Sequence, residues 1–146
     1  MTKQLVVDAS VIVKCLFPEN DTSYALELFS NSTYELLAPD FLLLEISNAM
    51  WKKVKNSDIK IEDAISILND FNSNLSIKLF PFSEYINRAF NIAFSIEHNS
   101  IYDCLYSALA EKQSCPLITA DLAYISKLTK AGINHQTLTL TQITTH

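Results

Sequence analysis

Four acidic residues occupy positions that solubility alone does not explain: Asp8, Glu45, Asp103 and Asp121. Asp8 ends the apolar run of QLVVDAS, where a charge at the end of a buried strand is costly unless something compensates it. Glu45 interrupts LLLEI, Asp103 falls in the first turn of IYDCLYSALA, and Asp121 comes two residues after PLIT. Carboxylates converging on one crevice repel each other, which leads either to raised pKa values or to a bound cation. Hard divalent cations prefer oxygen ligands, commonly one or two carboxylates with waters. His98, His135 and His146 have no ligand-like spacing, and Cys15, Cys104 and Cys115 form no CxxC pair, so the set does not suit zinc. Mg²⁺ or Mn²⁺ is the expected compensation for Asp8. Taken singly, each acid also has an ordinary explanation. Asp8 and Asp121 fit helix N-caps, Ser100 with Asp103 fits a capping box, and Glu45 fits a solvated helix face.

These acids must be positioned by short strands alternating with helices. Strands are expected at about 4–8, 35–38 (ELLA), 77–82 (IKLFPF), 115–119 (CPLIT) and 135–140 (HQTLTL). Helices are expected near 21–31, from a cap at Asp40 to about Lys55, at 61–71, 83–97 and 101–113, and from Asp121 to a stop near Gly132. This alternation predicts an α/β fold with a parallel sheet covered on both faces. Such sheets bind ligands beyond the carboxyl ends of their strands, which gives weight to the acids that follow strands. At about 100° per residue, Glu45, Asn48, Lys52 and Lys55 form one stripe, while Leu42, Ile46 and Met50 turn to the core. In the 101–113 helix, Ile101, Leu105 and Ala108 are the expected core face, opposite Asp103, Ser107, Ala110 and Ser114.

The 146 residues, 49% of them hydrophobic, predict a single domain over 1–146 with one sizeable core. No apolar run reaches the roughly 18 residues that span a bilayer, and Asp8 interrupts the short apolar N-terminus. A soluble, cytoplasmic protein with no membrane partner and reduced, buried thiols is expected. Gly132 is the one glycine, which excludes Gly-rich phosphate loops and leaves Asn, Asp and Ser to make the turns. A net charge of −5 weighs against a nucleic-acid binder, less so if the acids surround metal ions. Trp51 and Phe94 are expected in the core, although an interface would also suit them.

The set VVDAS, LLLEISNAM, IYDCLYSALA and LITADLAY, in this order over nearly the whole chain, resembles the PIN-domain ribonucleases, in particular the VapC-type toxins of prokaryotic toxin–antitoxin pairs. The resemblance implies a three-layer α/β/α sandwich and a divalent-metal-dependent ribonuclease. It implies that Asp8, Glu45, Asp103 and Asp121 form the metal site, with Ser10 and Thr119 in support and Asn48 at an often polar position. Products with 5′-phosphate and 3′-OH ends, a cognate antitoxin lying across the site and a homodimer are further implications. Lys52, Lys53, Lys55, Lys127 and Lys130 are candidate guides for the RNA strand. A PIN-type scaffold that binds RNA or protein without cutting, and a housekeeping RNA-processing nuclease, are the alternatives. A haloacid-dehalogenase-type phosphotransferase would need a second acid where Ser10 stands. A receiver-like signalling domain would need paired acids near the first strand.

Overall fold

Leu5, Val6 and Val7 are all essentially inaccessible. Successive side chains of a strand point to opposite faces, so this strand needs cover on both. The computed structural model, which describes residues 2–17, 22–133 and 136–144, provides it. Strand β1 (Lys3–Val7) lies at the centre of a five-stranded sheet with β2 (Tyr34–Pro39), β3 (Ile77–Phe80), β4 (Leu117–Ile118) and β5 (Thr137–Leu138). The strand order is β3-β2-β1-β4-β5, and every pairing is parallel. Around the sheet stand α1 (Ala9–Leu16), α2 (Thr22–Ser30), α3 (Leu42–Lys55), α4 (Ile61–Ser73), α5 (Ile86–Ile96), α6 (Tyr102–Gln113), α7 (Leu122–Lys130) and α8 (Leu140–Thr144). Helix α6 lies against β1, β2 and β4 with α5 beside it, while α1 packs on α2 and α3. This is the α/β sandwich around a parallel sheet that the alternation predicts.

The topology creates the crevice. The chain builds β1, β2 and β3 outward on one side, then returns to add β4 and β5 on the other. Strand order therefore reverses at β1, and the carboxyl ends of β1 and β4 flank the switch point where open parallel sheets bind ligands. Asp8 follows β1 directly, and Thr119 follows β4 directly.

Several local expectations are corrected. Helix α1 begins immediately after Asp8, in a segment given no element from sequence, and α8 is likewise additional. Asp40 does not cap α3. Phe41 takes the N-cap position, and Asp40 Oδ1 accepts the Phe82 N–H at 3.1 Å, tying the end of β2 to a 3₁₀ turn at Phe82–Tyr85. That turn replaces the first residues of the helix expected from 83. The capping box does not form: Ser100 Oγ accepts the Tyr102 N–H at 3.3 Å, while the Asp103 carboxylate reaches His98. Helix α6 is buried on all sides from Cys104 to Ala110, because α5 and the sheet both pack on it, so it has no separate core face. Trp51 and Phe94 are 56% and 89% exposed, not in the core. His135, in the expected last strand, lies outside the described residues, as does His146.

Four helices end in the same way with a single glycine among them. After α3, α5, α6 and α7 the chain enters the left-handed region at Ser57, Glu97, Ser114 and Gly132, with φ of 63°, 49°, 52° and 65°. In each, that residue and the next donate back to the last turn, as Ser114 N–H does to Glu111 and Cys115 N–H to Ala110 at 3.2 and 3.1 Å. This is the Schellman closure, in which glycine normally avoids the strain of a Cβ. Ser57→Gly and Ser114→Gly should each stabilise the fold by about 1 kcal/mol in urea denaturation. Gly132→Ala should destabilise it by a similar ~1 kcal/mol, through backbone strain alone, since an added Cβ there meets nothing within 4 Å.

Candidate active site

A cleft of about 450 Å³ opens at the switch point, and Asp8, Glu45, Asp103 and Asp121 all line it. Four elements bring them there. Asp8 sits between β1 and α1, Glu45 in the first turn of α3, Asp103 in the first turn of α6, and Asp121 at the N-cap of α7. Ser10, Asn48 and Lys52 share the lining. Of the other lysines named from sequence, Lys53 lies over the Phe17 ring at 4.6 Å and Lys127 reaches His98. Lys14, given no role from sequence, also lines the cleft.

Asp8 is the most enclosed of the four. Its Oδ2 accepts from the Thr119 hydroxyl at 2.8 Å and the Ser10 hydroxyl at 3.0 Å. Both hydroxyls also accept: Ser10 Oγ from the Ala120 N–H and Thr119 Oγ1 from the Asp121 N–H, each at 3.1 Å. The two side chains thus use their donor on the acid and an acceptor on the β4–α7 loop. Asp121 is fixed in turn, its Oδ1 capping α7 by accepting the Tyr124 N–H at 3.0 Å. Here the ordinary N-cap reading and a place in the cleft hold together.

Burial sets the electrostatics. Desolvation, with the Asp103 charge adding to it, pushes the Asp8 carboxyl up to about 6, although the two hydroxyls pull the other way. Desolvation pushes Glu45 up to about 7, helped by the charges of Asp8 and Asp103. Glu45 Oε1 is buried and has no hydrogen-bond partner among the described residues, and neither has the hydroxyl of Tyr106. The two groups are close enough to influence each other's ionisation, yet fall short of a well-formed hydrogen bond. Burial and the nearby Glu45 carboxyl drive the Tyr106 hydroxyl far upward, so it keeps its proton. Phe41, edge-on to Tyr106 at 5.5 Å, accepts the Glu45 N–H at its carbonyl and joins the two walls.

His98, which in the sequence shows only a spacing unsuited to zinc, has a defined place in the structure. Its side chain is 11% exposed, and its Nε2 stands 2.8 Å from Asp103 Oδ2. Nδ1 stands 3.3 Å from Lys127 Nζ. No local pattern announces this, since the partners lie on two different helices.

An oxygen-only donor set, a buried carboxylate oxygen without a partner, and mutual repulsion among Asp8, Glu45 and Asp103 fit a hard dication. Among the described residues, no three His, Cys, Asp or Glu side chains yet stand as close as metal ligands do. All four acids share the lining, and one oxygen of Asp103 is engaged by His98.

The PIN domain pattern matches residues 5–130. Ribonuclease VapC3 of Pyrobaculum aerophilum is 31% identical over 120 residues, covering 81% of this chain and 89% of that protein. Among solved structures, PAE2754 of Pyrobaculum aerophilum superposes with a TM-score of 0.67 at 21% identity, over 98% of this chain and 95% of that one. VapBC2 of Rickettsia felis, bound to a DNA fragment from its promoter, gives 0.62 at 18%, over 93% and 98%. The parallel sheet with its acid-lined switch point, and sequence likeness across most of its length, make this chain a member of the PIN-domain family.

Proposed function

We propose that this protein is a divalent-metal-dependent endoribonuclease that hydrolyses RNA phosphodiester bonds, with one PIN-type domain over 1–146. The observation that carries this reading is the convergence of Asp8, Glu45, Asp103 and Asp121 on one cleft, with Asp8 and Glu45 raised in pKa by burial and repulsion. Asp8 and Asp103 are the assigned direct ligands, with Asp121 and Glu45 completing the set directly or through water. A bound Mg²⁺ or Mn²⁺ supplies Lewis acidity that makes water nucleophilic at neutral pH and neutralises charge on the phosphate.

The chain's own residues do the rest. Ser10 and Thr119 hold Asp8 in one orientation and lock the loop that carries Asp121. Glu45, whose Oε1 is buried without a hydrogen-bond partner among the described residues, orients the attacking water. Asn48 and Lys52 extend the same helix face along the cleft, where Lys52 and Lys14 meet the phosphates of the strand. Cleavage by water leaves the 2′-OH unused and gives 5′-phosphate and 3′-OH ends.

The biological role that fits is the toxin of a toxin–antitoxin pair, acting as a homodimer in the cytoplasm and restrained by a cognate antitoxin. The relative named Ribonuclease VapC3 and the neighbour named VapBC2 support that assignment. No helix among the described residues is long and apolar enough to cross a membrane.

Asp8→Asn should lower RNA cleavage at least ~100-fold and leave the circular dichroism spectrum unchanged. Without metal the same variant should gain stability at neutral pH, up to about 3 kcal/mol, because it removes a desolvated charge. Wild-type cleavage by Asp8→Asn would discard the assigned site.

The pH dependence has a defined sign. Asp8 and Glu45 bind their protons more tightly in the folded chain than in the unfolded one. Between about pH 4 and 7 the folded state therefore holds more protons, and metal-free stability falls as pH rises. Saturating Mn²⁺ compensates the charges and should raise Tm more at about pH 8 than at about pH 5. Thermal melts with Mn²⁺ or EDTA at both pH values measure this.

A further inference from the structure

We propose that His98, held by Lys127, is a positioning residue that fixes the Asp103 carboxylate for the divalent cation. This rests on the reading of the acidic cleft given above.

The geometry defines the direction of each hydrogen bond. An ammonium group has donors only, so Lys127 Nζ, 3.3 Å from Nδ1, makes that nitrogen the acceptor. The ring proton then sits on Nε2, which donates to Asp103 Oδ2 at 2.8 Å. The imidazole engages one carboxylate oxygen, while Asp103 still lines the cleft.

His98 is held from two further directions. Its backbone N–H donates to the Ala93 carbonyl at 3.0 Å, the second closing bond after α5, which sets the ring beside the start of α6. The Tyr124 ring supports it at 5.0 Å between centroids. The Tyr124 hydroxyl bonds Ser107 at 2.5 Å, and Ser107 lies one turn beyond Asp103 on α6. Helix α7 thus supplies Asp121, Tyr124 and Lys127 on one side: an acid to the cleft, a ring behind the imidazole and a cation to its far nitrogen. A half-buried loop side chain fixed by so many independent contacts, on an acid of the cleft, acts through that acid. Partners of this kind orient a ligating carboxylate, and their loss typically costs about 10–100-fold in metal affinity.

The test is Mn²⁺ titration of the full chain by calorimetry, with metal-free urea unfolding alongside. His98→Gln keeps an N–H near the Nε2 position, whereas His98→Asn carries the same group too short to reach Asp103. We expect His98→Gln to bind Mn²⁺ within a few-fold of wild type, and His98→Asn to bind it about 10–100-fold more weakly, with matching unfolding midpoints. Lys127→Met should weaken Mn²⁺ by several-fold through loss of ring orientation. In an Asp103→Asn background, His98→Asn should have no further effect. Wild-type affinity in His98→Asn, or equal losses in both His98 variants with lowered midpoints, would overturn the positioning role. The two readings fail separately. If the wild type binds Mn²⁺ and Asp8→Asn does not, while His98→Asn binds normally, only this inference falls. If the wild type and Asp8→Asn behave alike, the reading of the cleft falls with it.

Discussion

The structure depends on a carboxylate that is expensive to bury. Asp8 is 8% exposed at the end of the central strand, and its neighbours are arranged around that cost. Two hydroxyls partly satisfy it, and the same hydroxyls accept the backbone N–H groups of Ala120 and Asp121. One acid therefore decides where the β4–α7 loop sits, and with it where a second acid sits. Two hydrogen bonds do not cancel the desolvation of a charge, and the nearby Asp103 adds to the imbalance. The fold carries this local instability at its switch point, with a hydrophobic core elsewhere to offset it.

The other three acids are carried by helices that each bury residues in the core. Leu42, Ile46 and Met50 bury one face of α3, which leaves Glu45, Asn48 and Lys52 on the cleft. Helix α6 is buried so completely that Asp103, in its first turn, reaches the cleft only because it precedes the buried run. Helix α7 is capped by the acid it contributes. Rigid elements position each group, and the short segments between them are fixed by hydrogen bonds.

Much of this was legible in the sequence, and the reasons differ by element. The strands around Val6 and Leu37 declare themselves because buried parallel strands read as unbroken apolar runs. The stripe from Glu45 to Lys52 is visible because helix periodicity separates it from the core residues. Helix α1 is hidden because ASVIVKCL is apolar and rich in β-branched residues, with no cap signal beyond Asp8 itself. Asp40 and Asp103 looked like caps because cap residues are identified locally, whereas their partners, Phe82 and His98, come from other turns. His98 was hidden for the same reason. Trp51 and Phe94 were expected inside because large aromatics usually are, and sequence does not reveal which helix face the neighbouring elements leave open.

The sheet is unequal on its two sides. Strand β1 pairs with β2 over four residues, but with β4 over two, and β4 pairs with β5 over two. Local opening costs least where the ladder is shortest, so the amides of the β4–β5 flank should exchange with solvent before those of β2 and β3. Thr119 and Asp121 stand on that loosely laddered flank, whereas Asp8 stands beside the firm one. The cleft therefore spans a short-laddered seam, which the Asp8 N–H crosses to the Ile118 carbonyl at 3.0 Å and the Ser10 and Thr119 hydroxyls bridge a second and third time.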